Sequence, residues 1–214
     1  MDNHIHELLY HYNEDGYEGY DLREVQLLEK IDLERVEKLK LLLHNDDKYI
    51  AYQAMLILLA WSIPDGFKQL DRFISEKWDE IKNFEPHRLY NQDNVYDVIT
   101  DALSVATLKG KSEQELYPYI KYFLNIYGDH FFESNLKEFL LKKNCRPLLQ
   151  EIEQAMQSAL KNKKYYQASQ LFPVIVQYDK DGFNKFIDIF NDLISQDDRI
   201  SYNIEEAKKI FNRL

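Results

Sequence analysis

An unbroken apolar run in the first third of the chain constrains its fold more than any other feature. Residues 54–61 carry no charge, and in the wider segment 50–63 only Gln53 and Ser62 are clearly polar. The run is too short to cross a bilayer, which takes about 20 apolar residues, but it has the length of a buried helix. A helix that is apolar on all sides must be covered by other helices over most of its surface.

A break and a second apolar pattern follow this run. Pro64 and Gly66 interrupt the helix, and proline is well suited to the first position of a new helix. Beyond the break, apolar residues recur at helical spacing, namely Phe67, Leu70, Ile74, Trp78 and Ile81. The two patterns predict a helical hairpin over residues 46–83, with one central and one amphipathic helix.

The remaining segments favour helices for the same reason. Only 6 glycines and 5 prolines occur in 214 residues, which favours long helices over many short strands. We therefore expect about ten helices and no strand, with a loop over residues 13–21 that contains two of the glycines. The positions at which we expect a helix cap or a bend are Asp32, Pro118, Pro173, Asn203 and Glu206.

The predicted hairpin has a second copy later in the chain. Residues 65–74, which begin Asp-Gly-Phe, align without gaps on residues 181–190, and the preceding helices correspond, with Leu59 opposite Ile175. Stacked helical hairpins of this size are typical of α-solenoids. On these residues the chain resembles HEAT-like and armadillo-like repeat proteins over residues 32–194.

This resemblance implies an all-α fold, a right-handed α-solenoid of stacked helical hairpins. The chain would then be one domain over residues 1–214. Its parts would be an N-terminal helix and acidic loop (1–20), a helical-repeat array (21–194) and a C-terminal capping helix (195–214). The alternative is a helical bundle without repeats, in which the Asp-Gly-Phe match is a coincidence at two helix starts.

A narrower resemblance concerns residues 32–36 and the segment 47–54 that follows them. Asp32-Leu33-Glu34-Arg35-Val36, leading to Asp47-Lys48-Tyr49-Ile50-Ala51-Tyr52-Gln53-Ala54, is similar to small bacterial HEAT-like proteins. Some of these are immunity proteins against secreted toxins, nucleases among them, in contact-dependent growth inhibition. The resemblance implies a non-enzymatic protein that neutralises a cognate basic toxin domain by binding it.

Two other functions fit a helical-repeat chain. One is a scaffold or regulatory adaptor that binds proteins on a concave face. The other is an enzyme on nucleic acid, because some HEAT-like proteins are DNA glycosylases. Such an enzyme needs a basic groove, and here the basic clusters are small: Lys137, Lys142, Lys143, Arg146 and the run Lys161 to Lys164.

The charge of the chain indicates what kind of partner it binds. The formal net charge is -10, which disfavours nucleic acid or an anionic membrane surface and is compatible with a basic protein. Residues 1–47 hold thirteen acidic and five basic residues, a balance of -8. Tyrosines alternate with acids in this segment, and aromatic anchors among steering charges are typical of protein interfaces. The candidate protein-binding residues are Glu14, Asp15, Tyr17, Glu18, Tyr20 and Asp21; the alternative is a solvated, mobile N-terminus.

The sequence contains no motif that predicts catalysis or a bound cofactor. It has no Gly-rich phosphate loop, nucleophile elbow or paired-cysteine site, and its three N-terminal histidines, His4, His6 and His11, lack metal-site spacing. Asp129, His130 and Glu133 fall where helix caps and first-turn acids are expected. We therefore expect a non-enzymatic protein without catalytic, metal or cofactor residues.

The single cysteine and the N-terminus indicate the compartment. Cys145 is alone, so no internal disulfide can form and a reducing environment is expected. The N-terminal residues lack the positive and apolar regions of a signal peptide. Both observations predict a cytoplasmic protein.

Overall fold

A computed structural model describes residues 2–14, 16–87 and 91–213, and most of these residues are helical. The chain forms two compact units, Met1–Phe84 with Asp101–Ser112, and Glu85–Thr100 with Glu113–Leu214. Within the described ranges, no helix is long and apolar enough to cross a membrane.

The first unit combines helices with one short β-hairpin. Its elements are α1 (Asn3–Tyr10), β1 (His11–Glu14), β2 (Tyr17–Tyr20), α2 (Leu22–Leu27), α3 (Leu33–Leu42), α4 (Lys48–Ala60), α5 (Pro64–Ser75), α6 (Trp78–Ile81) and the later part of α7 (Val95–Leu108).

The second unit holds the first residues of α7 and the C-terminal half of the chain. Its further elements are α8 (Glu113–Ile126), α9 (Asn135–Lys142), a 3-10 turn (Arg146–Leu148), α10 (Leu149–Lys161), α11 (Tyr165–Gln170), α12 (Phe172–Tyr178), α13 (Asp181–Leu193) and α14 (Ile200–Phe211).

The central helix predicted from the apolar run is confirmed as α4. Every residue from Ile50 to Ala60 is buried, as a helix that is apolar all round requires. The Asp47 side chain accepts a hydrogen bond from the backbone N–H of Tyr49 and caps the start of α4. Pro64 occupies the first turn of α5, whose apolar face is buried.

Some of the other expected helix signals are also found. Asp32 caps α3 through a hydrogen bond from the backbone N–H of Glu34. A turn at Leu171 separates α11 from α12, next to Pro173. Pro118 does not start its helix but lies inside α8, which begins at Glu113.

The expected caps of the last helix are wrong. Helix α14 begins at Ile200, so Asn203 and Glu206 lie within it. Asn203 is buried and donates a hydrogen bond from its amide to Ser169 Oγ at 2.8 Å. Its polar side chain therefore links helix α14 to helix α11. In the sequence, an asparagine in this role looks the same as an asparagine that caps a helix.

The two hairpins aligned by sequence share a close contact between their helices. A Cβ added at Gly66 in α5 would lie 2.7 Å from the backbone nitrogen of Leu59 in α4. A Cβ at Gly182 in α13 would lie 2.7 Å from Cγ2 of Ile175 in α12. Leu59 and Ile175 are the residues that the sequence alignment pairs, so each glycine lets its helix approach the preceding one at a corresponding position.

The expectation of no strand and of a loop over 13–21 is wrong. Strands β1 and β2 pair antiparallel, with His11 opposite Tyr20 and Glu14 opposite Tyr17. In the sequence, Asp-Gly stands between the two strands, and Asp-Gly between alternating side chains is a strong hairpin signal. Gly16 has a φ of +84°, which glycine adopts without strain.

Candidate functional site

The predicted binding residues fall on the β-hairpin, whose pleat divides them between two faces. Neighbouring residues along a strand point to opposite sides, while paired residues across the strands share a side. One face carries Tyr12, Glu14, Tyr17 and Gly19, and the other carries His11, Asn13, Glu18 and Tyr20. The predicted residues thus do not form one continuous surface.

Contacts within the first unit engage side chains of the face that contains Tyr20, although Tyr20 itself is 54% exposed. The Tyr20 hydroxyl donates a hydrogen bond to Glu7 Oε1 at 2.7 Å, and this bond raises the pKa of the phenol. Nε2 of His11 lies 2.9 Å from Oε1 of Glu18, and the rings of His6 and His11 both pack near Tyr20. Glu18 and Tyr20 therefore bind other parts of the hairpin and α1.

The opposite face holds both apolar and acidic groups, of which Tyr12 and Glu14 are half-buried and Tyr17 is exposed. We call it the Tyr17 face and define it by Tyr12, Glu14, Tyr17, Glu24 and Leu27. Together with Leu28 these residues line a cleft of about 370 Å³. Tyr17 is 76% exposed, and Leu27, at the end of α2, is 38% exposed. Exposed aromatic and aliphatic side chains beside two carboxylates can anchor a basic protein surface.

Polar contacts fasten the hairpin to its neighbours. The backbone N–H of Glu29 donates to Oε1 of Glu14 at 2.9 Å, so that the end of β1 is held beside the segment after α2. At the other end, the Asp21 carboxylate caps α2 by accepting from the N–H groups of Arg23 and Glu24. The N–H of Asp21 itself donates to the carbonyl of Tyr10. Hydrogen bonds therefore hold both ends of the β-hairpin that carries the Tyr17 face.

The six predicted residues have different positions. Glu14 and Tyr17 share the Tyr17 face, Glu18 and Tyr20 lie on the opposite face, and Asp21 serves as a helix cap. Asp15 lies outside the residues that the structure describes.

Sequence reasoning missed three members of the Tyr17 face, namely Tyr12, Glu24 and Leu27. The signal for Tyr12 was the Asp-Gly turn, because the strand register places Tyr12 opposite Gly19 and on the side of Tyr17. No local pattern predicts Glu24 and Leu27, since they reach this face only through the packing of α2 against the hairpin.

The other polar residues considered from the sequence make contacts within the fold or are buried in it. The Asp129 side chain accepts a hydrogen bond from the Asn162 amide at 2.9 Å, and Glu133 lies 3.6 Å from His87. Burial raises the pKa of the Cys145 thiol to about 12, so thiolate is scarce at neutral pH. Among the described residues, no group of three or more acidic, His or Cys side chains is arranged to hold a metal ion.

No known protein family, curated protein or solved structure matches the chain.

Proposed function

We propose that this chain is a non-enzymatic protein-binding module that takes a basic protein partner on the Tyr17 face. The observation that carries the proposal is Tyr17, which is 76% exposed on a hairpin held at both ends by hydrogen bonds. Folding gains little from an aromatic ring left in water, whereas a rigid exposed tyrosine is a typical interface anchor that loses little entropy on binding.

Charge supports a basic partner. The carboxylates of Glu14 and Glu24 line the same cleft as Tyr17, and residues 1–47 carry a formal charge of -8 out of the total of -10. Acids around an aromatic anchor speed the encounter with a positive surface and disfavour acidic partners.

The most specific version of the proposal is an immunity protein. In this version the partner is a cognate basic toxin domain, such as a nuclease of contact-dependent growth inhibition, and the acidic surface covers its active site in the bacterial cytoplasm. The alternative is a scaffold or regulatory adaptor. It would have the same fold as the immunity version and would bind several different proteins.

We further propose that the helical hairpins form a HEAT-like repeat array, a right-handed α-solenoid. The close glycine contacts of Gly66 on α4 and Gly182 on α12 support a common hairpin unit, because they occur at aligned positions. The β-hairpin would then be an addition to the array at its N-terminal side.

The partner can be identified by affinity purification of the tagged full chain from its own host cells, together with the identity of the neighbouring gene. A stoichiometric complex with one basic toxin domain supports the immunity version. Recovery of several housekeeping proteins supports the adaptor version, and a failure to recover any tight protein partner contradicts the proposal.

The binding face is tested with a matched pair of tyrosines. Tyr17 and Tyr202 are exposed to the same degree, 76% and 75%, and Tyr202 lies in α14 of the second unit. Tyr17→Ala should raise the dissociation constant of the complex by roughly 30-fold or more, as expected for an interface hot spot. Tyr202→Ala should leave it within about threefold. Equal effects of the two substitutions would exclude the Tyr17 face.

A further inference from the structure

A second cleft lies within the second unit, and its lining differs from that of the Tyr17 face. It has a volume of about 340 Å³, within the size range of small-molecule sites. Three chain segments supply most of its walls: 131–133 before α9, 163–167 at the start of α11, and 197–199 before α14. Among the described residues, His87 and Gln92 also line it.

Buried hydrogen bonds hold one wall of this cleft in place. Gln167 is buried, accepts a hydrogen bond from the N–H of Phe132 at 3.1 Å, and donates from Nε2 to the carbonyl of His130 at 3.0 Å. The Lys164 ammonium donates to the carbonyls of Asp129 and His130 at 2.7 and 2.8 Å. A wall fixed by the fold does not have to be ordered when a ligand binds.

The cleft offers flat aromatic surfaces. Phe131, Tyr165 and Tyr166 line it, and each is only partly exposed. The guanidinium of Arg199 lies 4.2 Å from the centre of the Tyr166 ring and pairs with the Asp197 carboxylate, with Nε 2.8 Å from Oδ1. Arg199 already covers one face of the Tyr166 ring, and Phe131 packs on His87 with ring centres 5.1 Å apart, so a planar group would extend this aromatic cluster beside Tyr165.

The charge of the cleft is opposite in sign to that of the chain. Lys163, Lys164 and Arg199 face two acids, Glu133 and Asp197, whereas the chain as a whole carries -10. Asp197 pairs with Arg199, and the Lys164 ammonium is bound by carbonyls. Lys163 is exposed, and its ammonium has no carboxylate within ion-pair distance among the residues that the structure describes.

Lys163 is also held in a backbone conformation that lysine rarely adopts. Its φ is +59°, at the end of α10, where Lys163 N–H bonds the carbonyl of Leu160 and Lys164 N–H bonds that of Ala159. The same pair of bonds ends α7, where glycine takes the position at Gly110 with a φ of +92°. A lysine in place of glycine costs some stability; Ser62 and Lys77 also have a positive φ at helix ends, so this conformation fixes where Lys163 stands beside the cleft and does not by itself mark a function.

We propose that this cleft binds a small anion that carries a planar ring, such as a nucleoside monophosphate or an aromatic carboxylate. The ring stacks among Phe131, Tyr165 and Tyr166, and the anionic group meets the ammonium of Lys163. The proposal is independent of the protein-binding function assigned to the Tyr17 face.

Four probes separate the parts of this proposal when they are titrated into the full chain by calorimetry. They are adenosine monophosphate and 4-hydroxybenzoate as ring anions, adenosine as a ring without an anion, and inorganic phosphate as an anion without a ring. At least one ring anion should bind with a dissociation constant of about 1 mM or tighter, and the uncharged ring and phosphate should each bind at least about tenfold more weakly. The proposal is overturned if neither ring anion saturates, or if phosphate alone binds as tightly.

Variants at Lys163 test the role of its ammonium without loss of the fold. Lys163→Gly and Lys163→Asn both remove the charge and both accept a positive φ, so their thermal midpoints should equal or exceed that of the wild type. The ring anion should bind about tenfold more weakly to both variants, and Lys161→Ala, an exposed lysine of the same basic run that does not line the cleft, should leave binding unchanged. Unchanged affinity in the Lys163 variants, or an equal loss in Lys161→Ala, would contradict the assignment.

Discussion

At the scale of single residues, the buried carboxylate of Asp97 stabilises the second unit. It lies in α7 and accepts hydrogen bonds from the backbone N–H groups of Ser134, Asn135 and Leu136 at 3.0 to 3.2 Å. These N–H groups belong to the start of α9, where Ser134, the residue at the cap position, makes no capping bond with its own side chain. Asp97 thus caps a helix that is distant in sequence.

Asp97→Ala should lower the free energy of unfolding by about 2–4 kcal/mol. It leaves three backbone donors without their acceptor in a buried place, which is among the costly mechanisms for a single substitution. The matched control is Asp101→Ala in the same helix, where the lost ion pair with Arg23 is partly exposed and contributes below about 1 kcal/mol. Urea unfolding of both variants gives the comparison, and similar losses would refute the capping role.

Asp97 should also give stability a pH dependence of unusual sign. Burial raises the pKa of its carboxyl, and the three N–H donors only partly oppose this effect. A raised pKa means that the folded chain binds the proton more tightly than the unfolded chain, so this contribution declines as pH rises from the ordinary Asp pKa to the raised one. The difference in unfolding free energy between wild type and Asp97→Asn, measured in urea from acid to neutral pH, should therefore shift against the wild type as pH rises. A shift in the other direction would show that the N–H donors dominate.

At the scale of elements, the shared contact of the two hairpins predicts how they respond to an added methyl group. Alanine normally stabilises a helix by about 1 kcal/mol relative to glycine, yet here its Cβ would clash with the preceding helix. Gly66→Ala should lower the free energy of unfolding by about 1–3 kcal/mol, because the clash is with the backbone nitrogen of Leu59. Gly182→Ala should cost less, since the nearest atom is a side-chain methyl of Ile175.

Exposed positions on the same two helices provide the controls. Lys68→Ala in α5 and Asn184→Ala in α13 should change stability by no more than about 0.5 kcal/mol in the same denaturation assay. If Gly66→Ala stabilised the chain instead, the close approach of α4 and α5 would not be required, and the common hairpin unit would lose its physical basis.

Elements with a strong local signal could be predicted from the sequence, and those set by distant partners could not. The apolar run and Pro64 predicted α4 and the start of α5, because burial and a proline at a helix start are properties of the segment itself. The β-hairpin was not predicted, although Asp-Gly stands between its strands in the sequence, because an acidic segment with two glycines is also typical of a loop. Asn203 was mistaken for a cap because its partner, Ser169, is 34 positions away in the chain.

The candidate site shows the same division. Tyr17 and Glu14 could be predicted from the pattern of tyrosines and acids, but their separation from Glu18 and Tyr20 follows from the strand pleat. The cleft of the second unit depends on segments at least 30 residues apart, such as 131–133 and 163–167. No local pattern indicates such a cleft, although the basic run that supplies Lys163 is visible in the sequence.

At the scale of the whole molecule, the uneven charge governs how the chain meets its partner. Acids concentrated in residues 1–47 create a negative field around the Tyr17 face, while the net charge of the remaining residues is small. Such a field raises the rate of association with a basic protein and has little effect on dissociation. Charge neutralisation near this face should therefore act on a different rate constant from the loss of Tyr17.

Glu24→Gln should slow association with the basic partner several-fold at low salt and leave dissociation nearly unchanged, whereas Tyr17→Ala should mainly speed dissociation. Asp188→Asn, at an exposed position of α13, removes the same charge in the second unit and should leave both rates within about twofold. Stopped-flow or surface-based kinetics at about 50 and 500 mM salt measure all three, and the effect of Glu24→Gln should vanish at high salt, where the Debye length is only a few ångströms. If Asp188→Asn slowed association as much as Glu24→Gln, only the total charge would steer the encounter. The Tyr17 face would then have no special place in it.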